Sequence, residues 1–392
     1  MEQTAHTLDV EAIRAQFPAL ASGRIHLDNP GGTQVHGSVI DAVSEYYTRF
    51  NANLGGPFET SVESSRVLDE ARRDMALMLG ADPGEIVFGA NMTTLTFHAS
   101  RALTRDLGPG DEILVTRIDH DGNVAPWLLA AEDRGVTVRH ADIDVESCTV
   151  DIDDFAAKLS DRTRIAAFNW ASNGAGTISD VEAMTRLARE AGAISYVDGV
   201  QFAPHGPMDV HAVGCDFLAV SAYKFFGPHV GVLYGRRELL ERIRPYKVRP
   251  AHDEPPGSWE TGTVNLEGIA GTAAAARYMV EIGAEAIAGY ERALTARLIQ
   301  GLDAIDGVTQ FGTHDLDRRV PTVVFTVDGR TPAEVSAALA RDDIFVWDGN
   351  YYALELMERL GLEAQGGAVR VGAVHYNTTD EIDRFLEAVA AL

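Results

Sequence analysis

The 392-residue sequence predicts an α/β protein built on a large, mostly parallel sheet with a smaller α+β domain beside it. Three observations carry that expectation. From about residue 22 to 268, short apolar runs alternate with helix-like stretches, the βα series that feeds a parallel sheet. Two of the runs, Ala193-Ile194-Ser195-Tyr196-Val197 and Phe217-Leu218-Ala219-Val220, are largely apolar, as strands covered on both faces are, and each leads to an ionisable residue. After about residue 269 the order changes to a helix, strands and further helices, an α+β layer. The expected division is 22–268 for the large domain, with 1–21 and 269–392 forming the small one.

Taken in order, Val10 to Phe17 reads as a helix leading into the small domain, and Asn51 to Phe58 as a Gly-rich connecting loop. Ile86-Val87-Phe88 is a strand, and Asn91-Met92-Thr93-Thr94 joins it to a helix. N–H groups and a hydroxyl at such a helix start suit a phosphate, although a Ser or Thr there is usually only a cap. Glu112 to Thr116 is a strand followed by the loop Asp119-His120-Asp121-Gly122-Asn123. A lone loop histidine is more often a surface residue, and no second His or Cys cluster completes a metal site around it. Arg164 to Asn169 is a strand, and the following Ala171-Ser172-Asn173-Gly174-Ala175-Gly176-Thr177 by itself reads as a turn. Val181 to Ala191 reads as a helix before the strand that ends at Asp198. The strand from Asp216 leads to Ser221-Ala222-Tyr223-Lys224, and Gly227-Pro228 stops regular structure. A helix through Tyr290 to Leu302, strands near Pro321 to Val327 and Ile344 to Val346, and helices at Pro332 to Ala340 and Thr379 to Ala390 complete the small domain.

Lys224 is one of three lysines in a chain that otherwise uses arginine. A lysine emerging from a buried strand end is partly desolvated, which lowers its pKa and exposes a nucleophilic amine. Asp198 ends a neighbouring strand, and in parallel sheets ligands bind outside the carboxyl ends. An amine and an acid in one pocket suggest pyridoxal 5'-phosphate, the lysine forming a Schiff base and the aspartate holding the pyridine nitrogen protonated. An ordinary Asp–Lys ion pair is the competing reading, and spacing does not separate the two.

The ordered motifs Val197-Asp198-Gly199-Val200-Gln201, Asp216-Phe217, Ser221, Lys224 and Gly227-Pro228 resemble the class V aminotransferase family, in its cysteine-desulfurase-like branch. The likeness runs from about Leu27 to the C-terminus. It implies fold type I of the pyridoxal-phosphate enzymes, the aspartate-aminotransferase-like fold. By resemblance Lys224 and Asp198 hold the cofactor, His120 stacks on its ring, and Thr93 with Ser221 takes its phosphate. Asn91 and Met92 stand where the family has glycine and threonine, so that loop is expected to grip through its backbone. Asn173 and Gln201 are expected at the phenolic oxygen. Thr263, in Glu260-Thr261-Gly262-Thr263-Val264-Asn265, is expected to touch the phosphate of a second subunit, which implies a homodimer. Arg370, a charge inside the apolar run Ala368–Gly372, matches the arginine that binds the substrate α-carboxylate bidentately.

The sequence departs from the branch at its mobile loop. In Val346-Trp347-Asp348-Gly349-Asn350-Tyr351-Tyr352-Ala353, Tyr352 takes the place of the nucleophilic cysteine, and Asn350 and Tyr352 become the loop's candidate substrate contacts. The two thiols of the chain, Cys148 and Cys215, both lie upstream of Lys224. The expected activity is therefore that of a pyridoxal-phosphate lyase or aminotransferase acting on a small α-amino acid, by β-elimination of C–S lyase type or by transamination. Desulfuration without the loop cysteine, epimerisation and a cofactor-binding scaffold or regulator are the alternatives.

Whole-chain properties fit a cytoplasmic enzyme. Apolar content of 46% permits a large core, and two cysteines make no disulfide framework. No run is apolar enough to span a bilayer, and the N-terminus lacks a secretion pattern. A net charge of −25 disfavours nucleic acid and anionic membranes as partners. Walker A, G-x-S-x-G and G-x-G-x-x-G patterns are absent.

Overall fold

The computed structural model describes residues 8–392, and its centre is a seven-stranded sheet. In chain order the strands are β1 (Ile86–Gly89), β2 (Glu112–Thr116), β3 (Thr137–Ala141), β4 (Thr163–Asn169), β5 (Ile194–Asp198), β6 (Phe217–Ser221) and β7 (Gly231–Gly235). Across the sheet they lie in the order β1-β7-β6-β5-β4-β2-β3. The run from β6 to β3 is parallel throughout, and β7 is antiparallel to both of its neighbours. The expected mostly parallel sheet is present.

Side chains alternate along each strand, and here both faces are covered by apolar layers. Val87, Ile113, Val115, Ile165, Tyr196, Phe217 and Leu233 pack with Leu95, Trp127 and Trp259. The intervening residues Phe88, Leu114, Phe168, Val197, Leu218 and Val232 join the other, larger core with Met184 and Phe155. That double burial explains why the strands read as continuous apolar runs. It also makes a polar residue at a strand end conspicuous.

A second sheet comprises β8 (Val308–Phe311), β9 (Thr322–Val327), β10 (Trp347–Gly349) and β11 (Ala368–Gly372), antiparallel in the order β8-β9-β11-β10. Val369 and Val371 pack with Leu298, Leu339 and Phe385 from the covering helices. Arg370, between them, therefore lies on the sheet's other face. Ile25–His26 pairs in parallel with Ile344–Phe345, tying the start of the described chain to the C-terminal layer.

Three elements differ from expectation. The first helix is Val10–Arg14, shorter than Val10 to Phe17, because Phe17 precedes Pro18 and is extended. The helix expected through Tyr290 to Leu302 begins earlier, at Ala284, and ends at Asp303. A long helix, Leu266–Ile282, was not anticipated; it packs against Gly37–Glu45 and Glu59–Leu79, so a boundary at 268 would fall inside it. No helix among the described residues is long and apolar enough to cross a membrane.

Candidate active site

Strand register assembles the site. Asn169 and Asp198, the last residues of β4 and β5, are direct partners, and Asp198 pairs in turn with Ala219 of β6. Lys224 follows β6 on a single helical turn, Ala222–Lys224. The cleft at these carboxyl ends is lined by Met92, Thr93, His120, Asn173, Asp198, Gln201, Ser221 and Lys224, all expected there, together with Asn169, Ala171, Val200 and Tyr223.

Asp198 is buried and accepts one hydrogen bond, from the N–H of Val200 at 2.9 Å. Burial raises its pKa to about 7, against the pull of that N–H and of Lys224. Lys224 is half-buried and donates to the carbonyl of Pro30. Burial lowers its pKa to about 7; Arg370 pushes the same way and Asp198 opposes. The amine is thus a competent nucleophile near neutrality. Burial, then Lys224 and Arg370, hold the His120 imidazole down at about 4, so it is neutral. Its Nδ1 accepts the Gly122 N–H at 2.9 Å, which puts the ring proton on Nε2. Behind it Asp119 is fully buried, accepting from Thr116 and from Asn123 Nδ2 (2.6 Å), and desolvation raises its pKa strongly.

The Met92–Leu103 helix opens into the same cleft. Met92 N–H donates to Ser221 Oγ at 2.9 Å, so Ser221 fixes the helix end. Asn91 is the N-cap: its Oδ1 accepts from the N–H and hydroxyl of Thr94. Its side chain is committed to the helix, and the cap reading prevails over a side-chain contact to a ligand. Thr93, between them, keeps its N–H and hydroxyl without partners among the described residues.

Arg370 is buried on β11 and forms no ion pair among the described residues. Its Nη1 donates to the carbonyl of Asn173 at 2.7 Å, its guanidinium carbon lies 4.3 Å from the Tyr351 ring centroid, and its Nε has no acceptor. Asn173 Nδ2 donates to the carbonyl of Tyr351 at 2.8 Å, and Gln201 Nε2 to Thr322 Oγ1 at 2.9 Å. The amide oxygens of both, Asn173 Oδ1 and Gln201 Oε1, are buried without a donor. Buried polar atoms are normally satisfied, so these orphans mark a place for a polar ligand.

Two expected contacts lie elsewhere. Asn350 directs its amide to Glu363 (3.1 and 3.2 Å) and its oxygen to the N–H of Tyr352. Tyr352 is 70% exposed, its ring 5.4 Å from that of His120, at the mouth rather than inside. Thr263, whose expected contact is with a second subunit, is exposed and lies outside its own chain's cleft. Conversely, Asn169 was missed, although the rule that picked out Asp198, a polar residue ending a buried parallel strand, applies to it equally. Cys148 and Cys215 are 0% and 1% exposed; burial pushes the first thiol up to about 12 and the second higher still.

The class V aminotransferase model matches residues 25–385. The chain belongs to that family. It is 33% identical to an aminotransferase-like protein, FGM3, of Gibberella zeae, over 98% of this chain and 99% of that one. It is also 33% identical to a probable cysteine desulfurase 2 of Mycobacterium leprae, covering 97% and 96%. Among solved structures, the apo cysteine desulfurase of Thermococcus onnurineus superposes with a TM-score of 0.92 at 30% identity, covering 97% of both chains. Membership makes the protein a pyridoxal-phosphate enzyme of fold type I. The cleft's own chemistry fits that cofactor: an amine of lowered pKa, a buried carboxyl lacking a cationic partner apart from that amine, an unsatisfied helix start and two orphaned amide oxygens.

Proposed function

We propose that this class V enzyme removes the α-proton of a small α-amino acid and carries it to β-elimination of C–S lyase type or to transamination, without passing sulfur to a cysteine of its own. Lys224 would hold the cofactor, Asp198 would keep its ring nitrogen protonated, His120 would contact its ring, and Thr93, Ser221 and the backbone of Asn91 and Met92 would take its phosphate. When bound, pyridoxal phosphate supplies an aldehyde for amines and a ring that accepts electrons. The protein's share is binding and proton movement. Arg370 offers its free Nε edge to the α-carboxylate, which orients the substrate. Lys224 Nζ, poised near neutral pH, takes the proton from Cα. Neutral His120 keeps an N–H on Nε2 without adding charge to a cleft that already holds Lys224 and Arg370.

The observation that carries the negative half of this reading is the position of the thiols. Tyr352 occupies the loop's sulfur-accepting place, and neither cysteine is exposed or readily ionised, whereas a sulfur acceptor must be a reachable thiolate. The working unit is a homodimer in the cytoplasm, with exposed Thr263 reaching the phosphate of the neighbouring subunit. The division expected at 268 moves to the end of the Leu266–Ile282 helix, which packs on the large domain: the cofactor domain runs from about residue 22 to 282, and the small domain comprises the rest of the C-terminal chain with residues 8–21.

Incubating the holoenzyme with L-cysteine, S-conjugates of cysteine and common amino acids, then identifying products, tests the reading. A keto acid with ammonia and free thiol or sulfide is elimination; amino-group exchange with an added keto acid is transamination. Alanine with protein-bound sulfane sulfur would overturn it.

A further inference from the structure

The loop over the site has a backbone that its sequence does not favour. Gly349, Tyr351 and Tyr352 have φ of 110°, 55° and 60°, two of them successive non-glycine residues in the left-handed region. Such strain persists only where the surroundings hold it, and here they do. The Tyr351 carbonyl accepts Asn173 Nδ2 at 2.8 Å, the Tyr352 carbonyl accepts the Asp121 N–H at 2.6 Å, and Asn350 Oδ1 accepts the Tyr352 N–H at 3.1 Å. The effect of the twist is to send neighbouring tyrosines opposite ways. Tyr352 goes to solvent, while the Tyr351 ring lies 4.3 Å from the Arg370 guanidinium and its hydroxyl donates to the carbonyl of Ala368.

Arg370 requires such a neighbour. A buried guanidinium without a carboxylate in ion-pair contact is costly; Asp28 attracts it from farther off, and the Tyr351 ring is the group laid directly against it. The Asn173 carbonyl holds Nη1 and the Tyr351 ring holds the plane, so the Nε edge stays free.

We propose that Tyr351 is a positioning residue: through its ring face it holds Arg370 in the orientation that accepts an α-carboxylate, and so sets the enzyme's preference for amino acids over simple amines. This rests on the reading of Arg370 as the carboxylate site. Tyr351 acts through Arg370 and does not itself touch the substrate.

The test uses holoenzyme and two ligands that differ only by the carboxylate, L-alanine and ethylamine, with dissociation constants read from the visible spectrum of the bound cofactor. The readout is the ratio of the two constants. Tyr351→Leu, which fills the space without a π face, is expected to weaken alanine roughly tenfold and leave ethylamine unchanged. Tyr351→Phe keeps the face, and its ratio should stay within about twofold of wild type. An unchanged ratio in Tyr351→Leu, parallel weakening of both ligands, or a ratio lost in Tyr351→Phe would each overturn the proposal; the last arm stands even if the leucine variant fails to fold. Because only binding is read, a failure of the elimination or transamination reading in the product assay leaves this result interpretable.

Discussion

Lys224 and Arg370 share one enclosed site, and their mutual repulsion shapes the chemistry available there. The Lys224 pKa is brought to about 7 by burial first and Arg370 second. Only the neutral amine attacks an aldehyde, so the rate at which cofactor-free protein takes up pyridoxal phosphate should rise with pH through a midpoint near 7. Removing the cation in Arg370→Met relieves part of the depression and should move that midpoint to higher pH. Stopped-flow absorbance across a pH series checks both; an unmoved midpoint would mean that Arg370 does not act on Lys224. At this scale much was readable from the chain. Asp198 and Arg370 were visible because a charge inside or ending an apolar run must have a purpose or a partner. Asn91 was ambiguous because a residue at a helix start serves equally as a cap, and the structure shows that it caps. Tyr351 was invisible: its place depends on a left-handed backbone that nothing about a tyrosine announces.

Elements, rather than single residues, decide where the Thr263 segment sits. Arg72 Nη2, on the Glu59–Leu79 helix, donates to both carboxylate oxygens of Glu260 (2.8 and 2.7 Å); Glu260 also accepts the N–H of Phe88 in β1, while Trp259 donates to the carbonyl of Leu240. Both charged side chains of the pair are nearly buried. Truncating one partner leaves the other uncompensated, so Glu260→Ala should lower stability by about 3 kcal/mol in urea unfolding. Asp383→Ala, which breaks the solvent-exposed pair with Arg297, should change it little. Equal effects would show that Glu260 is no anchor. Legibility at this scale followed periodicity. Thr379–Ala390, with a polar and an apolar face and a capping box, was read to the residue. Leu266–Ile282 was missed because its alanine-rich surface is buried nearly all round, which leaves no period to detect.

For the whole molecule, the alternation of strands and helices was sufficient to foresee a mostly parallel sheet, since few arrangements bury so many two-faced strands. The antiparallel β7 was not foreseen; its sequence is as apolar as its parallel neighbours, and direction is set by the short connection from Ser221 to Gly231. A homodimer predicts a sedimentation mass twice the 42.3 kDa chain. It also predicts that Thr263→Val weakens cofactor retention although Thr263 lies outside its own chain's cleft. A monomer retaining full activity would contradict that arrangement. Attachment of pyridoxal phosphate at position 224 is directly measurable, because the chain has only three lysines. Holoenzyme reduced with borohydride, digested and mapped by mass spectrometry should carry the pyridoxyl group on the peptide containing Lys224, with no label in Lys224→Ala. Label on Lys158 or Lys247 instead, or none at all, would contradict the account.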